Sequence, residues 1–206
     1  DLRTRPYLLL LSTNTGYGSG KTTVAKAMQE LDPTLDIISI ATPLKEMVKS
    51  LLKSLGYRST EVMQMLYDPA FKETPISGIG DGTVTPRRLM QTLGTEWRNM
   101  VDPDLWVKLT VQKVMSLRER GKNICIDDLR FPHELTPFRS ELFPGSPEVI
   151  HLNIDRPGHS KGVGQHASEA GLAGVKPDFQ ILNDGTIEEL KFKVNDLFFF
   201  FPDVKE

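Results

Sequence analysis

The stretch Leu8-Leu9-Leu10-Leu11-Ser12-Thr13-Asn14-Thr15-Gly16-Tyr17-Gly18-Ser19-Gly20-Lys21-Thr22-Thr23 joins a short apolar run to a glycine-rich turn and then to a helix-forming segment. A short apolar run closed by polar and glycine residues predicts a buried strand. The glycines, then Lys21 and Thr22, fit the pattern G-x-x-x-x-G-K-[ST] between a strand and a helix. The residue types suit anion binding. Glycines let backbone N–H groups converge on phosphate oxygens, and the following helix turns its positive end to the same anion. A bare glycine-rich turn would be ambiguous; G-S-G-K-T-T directly after the leucine run is specific. Gly16, Gly18, Ser19, Gly20, Lys21, Thr22 and Thr23 are therefore expected to hold a nucleoside triphosphate. Lys21 would reach its terminal phosphates, and Thr22 would meet Mg²⁺. One position departs from the pattern: Thr15 stands where the first glycine is expected.

Outward from this loop, strands and helices alternate. Strands are predicted at Tyr7–Ser12, Asp36–Ala41, Asn123–Asp128, Val149–Ile154 and Phe179–Leu182. Helices are predicted at Lys21–Glu30, Pro43–Leu55, Thr60–Tyr67, Pro86–Trp97 capped by Thr85, Pro103–Arg120 capped by Asp102, and Thr186–Leu197. Pro69–Thr83, rich in Gly, Pro, Ser and Thr, reads as a mobile surface loop. This order predicts an α/β protein, a P-loop fold with a five-stranded parallel sheet covered by helices on both faces. The 206 residues suffice for a single domain, 1–206. Within it, a helical acceptor-binding region is expected at about 43–107 and a lid segment at about 155–171. Ligands of such sheets bind beyond the carboxyl ends of the strands. The chemistry-bearing residues sit there, at Thr13, Ala41, Asp127, Asp155 and Asn183 onward.

Composition bounds the function. With 39% hydrophobic and 25% charged residues the chain reads as globular rather than disordered. A net charge of −2 argues against a protein that coats duplex nucleic acid. The single cysteine, Cys125, excludes an internal disulfide and a cysteine-based zinc site, and its apolar neighbours place it in the core. No apolar run approaches the ~20 residues of a membrane helix, so a cytoplasmic location is expected. The aromatic tail Phe198–Phe201 reads as a helix docking on the core, with a homodimer contact as the alternative.

The strand Asn123–Asp128 ends in two carboxylates, Asp127 and Asp128. Phosphoryl transfer calls for a carboxylate at such a place to hold Mg²⁺ or its waters; a helix cap is the plainer use of one of them. Two phosphates brought into line repel, so cations must line the gap. Lys45, Arg87, Arg88, Arg98, Arg130, Arg156 and Lys161 are the candidates, with arginine able to grip a phosphate by two parallel bonds. Arg130, just beyond the carboxylates, and Arg87, in the first turn of its helix, stand out. Gln91 or Glu96 can read a base edge, and Trp97 can stack on a base or pack in the core. Asp155–Gly171, with His159, Lys161, His166 and four residues of Gly or Pro, reads as the lid.

Further segments carry a resemblance. They are Thr42-Pro43-Leu44-Lys45-Glu46, Thr85-Pro86-Arg87-Arg88, Gln91-Thr92-Leu93-Gly94-Thr95-Glu96-Trp97, Asp128-Leu129-Arg130-Phe131-Pro132-His133-Glu134, His166-Ala167-Ser168-Glu169 and Asn183-Asp184-Gly185-Thr186. In this order the chain resembles the bacteriophage-type deoxynucleoside monophosphate kinases, adenylate-kinase-like P-loop enzymes. The resemblance implies transfer of the γ-phosphoryl of ATP, with Mg²⁺, to the 5′-phosphate of a deoxynucleoside monophosphate, in the host cytoplasm if the chain is phage-encoded. It implies a metal role for Asp128, a catalytic role for Lys21, Arg87 and Arg130, and adenine contacts at Asn183 and Gly185. It also implies acceptor contacts at Lys45, Arg88, Gln91, Glu96, Trp97, Arg98, Glu134, His166 and Glu169. His133 stands where asparagine is common in the family, and the stretch after Trp97 is one residue shorter than W-G-R members. Two other acceptors fit the same fold, phosphomevalonate and a hydroxymethylated base in DNA. A nucleotide-binding module without turnover is the alternative of another class.

Overall fold

In the computed structural model, residues 6–16, 18–141, 149–158, 172 and 174–199 are described. Five strands form one sheet: β1 (Leu8–Ser12), β2 (Leu35–Ile38), β3 (Asn123–Ile126), β4 (Val149–Asp155) and β5 (Phe179–Leu182). The order is β2-β3-β1-β4-β5 and every pairing is parallel. Leu8 pairs with both Ile124 and Val149, so β1 is central. The crossover from β1 runs to one side and that from β4 to the other, which opens a crevice at their carboxyl ends.

Parallel strands need crossovers, and the helices here supply them. They are α1 (Lys21–Leu31), α2 (Thr42–Ser54), α3 (Ser59–Tyr67), α4 (Pro69–Lys72), α5 (Pro86–Thr92), α6 (Arg98–Val101), α7 (Leu105–Glu119), α8 (Pro132–Thr136) and α9 (Ile187–Phe198). Along β1 the side chains alternate. Leu9 and Leu11 enter a core with Val24 and Met28 of α1 and Leu190 and Val194 of α9. Leu8 and Leu10 point the other way and are just as fully buried, so both faces of the sheet are covered.

The chain divides into two compact units, Asp1–Ile40 with Thr110–Glu206, and Ala41–Leu109; α7 crosses the boundary. The first holds the sheet. The second packs Val48, Leu52, Val62, Met65, Leu66 and Ile76 into its own core.

Several expectations need correction. Pro69–Thr83 is not one open loop. Asp68 caps the helical turn α4 by accepting the Ala70 N–H at 2.9 Å. Ile76, only 1% exposed, anchors the remainder through its N–H to Val84 O at 2.8 Å. The predicted helix Pro86–Trp97 changes character midway. Thr85 caps it as expected, accepting the Arg88 N–H at 3.1 Å, but Leu93–Trp97 is a π-helical turn. Asp102 accepts from Asp104 N, and α7 starts later than expected, at Leu105. On α7, Trp106 and Val114 are buried as expected, whereas Leu109 is 39% exposed. Helix α8 and the π-helical turn Pro137–Glu141 behind it were not anticipated.

Candidate active site

The expected phosphate loop leaves the carboxyl end of β1 and enters α1. Its left-handed residues are Gly16 (φ 79°), Gly18 (φ 85°) and Gly20 (φ 105°), and no described non-glycine residue has a positive φ. Thr15 therefore needs none of the freedom that glycine supplies. Gly20 has a second reason to be glycine: a Cβ there would lie 2.7 Å from Asn183 Nδ2. That amide donates to Ser19 O at 2.9 Å and ties the loop to the segment after β5. Asn183, expected at adenine, thus braces the phosphate loop itself. The same segment lines a groove of about 360 Å³ between Asp184, Gly185, Glu189, Phe192 and Lys193.

Three observations fit a polyphosphate anion in this loop. Ser19 Oγ is buried and finds no hydrogen-bond partner among the described residues. Helix α1 begins at Lys21 with no side chain capping its N-terminal N–H groups. Lys21 is held in a place unfavourable to its own charge: burial first, then the Arg130 guanidinium, lower its pKa from 10.5 to about 8, against the opposing pull of Asp128, Asp127 and Asp155. A negatively charged ligand relieves each of these conditions. Thr22 is exposed and Thr23 half-exposed on the first turn of α1.

The two aspartates after β3 are oriented from β2. Ser39 Oγ donates to Asp127 Oδ1 at 2.6 Å, and Ile40 N–H donates to Asp128 Oδ1 at 2.7 Å. Both carboxylates are half-buried. With Thr22 they form the oxygen-donor set that a hard cation such as Mg²⁺ takes. Arg130 follows, exposed at its side chain. Its backbone N–H and that of Phe131 both donate to Glu134 Oε2, at 2.7 and 2.9 Å. Glu134 is 5% exposed, and burial pushes its carboxyl up to about 7. Expected at the acceptor, Glu134 instead caps α8 and fixes the backbone that carries Arg130. Phe131 and His133 stack with ring centroids 5.4 Å apart.

Most expected acceptor residues belong to the second unit, where their partners are local. Arg87 pairs with Glu73. Lys45 Nζ lies 5.2 Å from the Tyr67 ring centroid. Arg88 donates to Thr83 Oγ1 at 3.3 Å. Trp97, 37% exposed, tilts against Trp106 at 6.0 Å between centroids, and Trp106 Nε1 donates to Leu93 O. Glu96 is exposed and Gln91 half-buried. Arg98 is only 8% exposed and bonds Asn99 Oδ1 through Nε and a terminal nitrogen, both at 3.3 Å. Tyr17, His159, Lys161, His166 and Glu169, most of the expected lid, and the end of the aromatic tail lie outside the described residues.

Residues not anticipated also shape the site. Asp155 Oδ1 accepts the Asn14 N–H at 2.7 Å, and Arg156 N–H donates to Thr15 Oγ1 at 3.0 Å. Beneath them, Ser12 Oγ meets His151 Nε2 at 2.7 Å and donates to Asn153 Oδ1 at 3.0 Å. Polar residues at every second position of β4 (His151, Asn153, Asp155) were the available signal, since an all-apolar strand is the norm in a two-sided sheet.

Among known proteins, the family model for deoxynucleotide monophosphate kinase matches residues 72–194, more than half of the chain. The chain is 38% identical over 112 residues to the deoxynucleotide monophosphate kinase of Enterobacteria phage T4, covering 53% of this chain and 44% of that protein. It is 35% identical over 124 residues to the deoxynucleotide monophosphate kinase of Escherichia phage RB69, covering 59% and 48%. The chain thus spans a little under half the length of these relatives. Among solved structures, an APS kinase from Mycobacterium tuberculosis superposes with a TM-score of 0.47 at 12% identity, over 95% of this chain and 98% of that one. On the strength of the family match, this chain belongs to the deoxynucleotide monophosphate kinase family.

Proposed function

We propose that this protein transfers the γ-phosphoryl group of ATP to the 5′-phosphate of a deoxynucleoside monophosphate. The observation that carries the reading is Lys21, a lysine whose burial disfavours its own charge, set at the head of a helix in a loop of left-handed glycines. Such a place is costly without an anion and favourable with one. Family membership supports the acceptor class.

In this reading the backbone of Gly16–Lys21 and the Lys21 ammonium bind the donor's phosphates. Thr22 and Asp128, with Asp127 beside it, would hold Mg²⁺, which supplies neutralisation of phosphate charge. Ser39 and Ile40 keep these carboxylates oriented, so none of that order has to be created during the reaction. Arg130 stabilises charge on the transferring group, from a backbone that Glu134 holds in place. No general base is required, because a phosphate oxygen of the acceptor is already ionised at neutral pH. In the second unit Lys45, Arg87, Arg88 and Arg98 are the phosphate contacts proposed for the acceptor. Trp97, Gln91 and Glu96 are the contacts proposed for its base. His166 and Glu169 join them as acceptor residues, and Asn183 and Gly185 as the adenine end of the donor site.

ADP release measured with each deoxynucleoside monophosphate, and with phosphomevalonate, tests this. We expect turnover with at least one deoxynucleotide and none with phosphomevalonate. Arg130→Ala should lower kcat by 100-fold or more, on the order of removing one charged transition-state contact. Tight ATP binding with no turnover on any acceptor would refute the enzyme, and an unchanged rate in Arg130→Ala would refute the assigned site.

A further inference from the structure

The departure of Thr15 from the phosphate-loop pattern has a structural counterpart. Thr13 Oγ1 lies 3.3 Å from Asp155 Oδ1 and 3.1 Å from Thr15 Oγ1. A carboxylate only accepts, so the Thr13 hydroxyl proton goes to Asp155. The contact between the two threonines must then be donated by Thr15. With its proton committed, Thr15 Oγ1 offers its lone pairs to the Arg156 N–H at 3.0 Å. Thr13 Oγ1 also accepts the Thr15 N–H at 3.1 Å. Protons thus point one way, from the Arg156 amide through Thr15 and Thr13 to the Asp155 carboxylate. Chains of this kind strengthen one another. Asp155 is a firm terminus, since Asn14 N–H, Asn153 Nδ2 and Gln180 Nε2 donate to it as well, at 2.7, 2.7 and 3.2 Å.

We propose that Thr15 is a positioning residue of the phosphate loop: its hydroxyl bridges the loop's first turn to the end of β4 and so presets the backbone N–H groups of the residues after it. In this chain, threonine does by hydrogen bonding what the pattern's glycine does by conformational freedom. The first left-handed residue moves one place on, to Gly16. The proposal rests on the loop being a triphosphate site, and it concerns binding, before any transfer.

The test compares Thr15→Val, Thr15→Gly and Thr15→Ser with the parent protein by calorimetric binding of Mg·ATP and of inorganic tripolyphosphate, with urea unfolding as the check on folding. Thr15→Val keeps the shape and loses both bonds. It should weaken both ligands about fivefold to tenfold, the scale of one or two net hydrogen bonds. Thr15→Gly restores the common pattern and should still weaken both by about fivefold; Thr15→Ser should stay within about twofold of the parent. A Thr15→Gly protein that binds as well as the parent, or weakened ATP binding with unchanged tripolyphosphate binding, would overturn the proposal. If the parent binds Mg·ATP but transfers nothing to any deoxynucleoside monophosphate, the kinase reading falls, and the binding constants of the three variants decide the role of Thr15 by themselves.

Discussion

Replacing Lys21 by methionine should stabilise the ligand-free protein while abolishing triphosphate binding. The lowering of its pKa from 10.5 to about 8 corresponds to roughly 3 kcal/mol against the charged form in the folded state. Lys21 is half-buried rather than sealed, and solvent reaching the ammonium discounts this figure. A gain of about 1–2 kcal/mol at pH 7 is the expectation. The sign follows from proton binding. Between about pH 8 and pH 10.5 the unfolded chain keeps the lysine proton and the folded chain has released it, so stability rises with pH across that window. The penalty is fully present below pH 8 and gone above pH 10.5. The advantage of Lys21→Met over the parent should therefore be largest near pH 7 and close toward pH 10. Other groups titrating there are common to both proteins and cancel in the difference.

Urea unfolding of both proteins at pH 7 and pH 10, with and without Mg·ATP, measures all of this. A ligand that binds only the folded state stabilises it by about 2.7 kcal/mol at one hundred times its Kd. Saturating Mg·ATP should thus reverse the ranking at pH 7, because only the parent gains. A Lys21→Met protein less stable than the parent at pH 7 without ligand would refute the reasoning. So would a stability gap that does not change with pH. Either result would mean that the loop does not hold its lysine under electrostatic strain awaiting an anion.

Two further predictions concern groups that support the loop and Arg130. Glu134, raised from 4.5 to about 7, contributes stability that is fully present below about pH 4.5 and is lost as pH rises through 7. Glu134→Gln should therefore gain on the parent between pH 5 and pH 8, by at most roughly 3 kcal/mol in urea unfolding; parallel pH profiles would rule the assignment out. His151 works the other way. Burial lowers its pKa from 6.5 to about 4, so it destabilises the fold as pH falls through that range, and the acid loss should be steeper in Glu134→Gln than in the parent. Gly20→Ala combines a left-handed φ of 105° with a Cβ placed 2.7 Å from Asn183 Nδ2. It should cost about 2 kcal/mol or more and loosen the Asn183–Ser19 tether; unchanged stability in thermal unfolding would show that the loop can relax around a side chain.

The sheet was legible because burial on both faces writes itself as short apolar runs. Leu8–Leu11, Ile124–Ile126 and Phe179–Leu182 all fell where expected. Elements governed by other forces were harder to read. The α8 signal was in plain view: Pro132 at the first helical position and Glu134 two places on form a cap signature. It sat inside a segment that resembled a family motif, and that resemblance drew Glu134 to the substrate rather than to its own backbone. The π-helical turn at Leu93–Trp97 left no comparable trace. Its apolar spacing continues that of α5, and one extra residue per turn becomes visible only in the backbone hydrogen bonds. Its effect is to rotate everything beyond it by about 100° around the helix axis, so that Arg98 turns inward and becomes 8% exposed.

The candidate site divides along the same line. Gly20, Lys21, Asp127 and Asp128 were legible because their chemistry is local: each is needed for what it is, at a strand end that the apolar pattern already marks. Thr13, Thr15 and Asp155 were not, because their role exists only across β1 and β4, between residues about 140 positions apart in the chain. A position-by-position pattern scores Thr15 as a defect. The three-dimensional arrangement gives it an acceptor, a donor and an ordinary backbone conformation. What a phosphate loop requires is a set of N–H groups held in a fixed direction. Glycine meets that requirement by permitting the turn, and a hydroxyl tied to the neighbouring strand meets it by enforcing one. The second solution is invisible until the neighbouring strand is known.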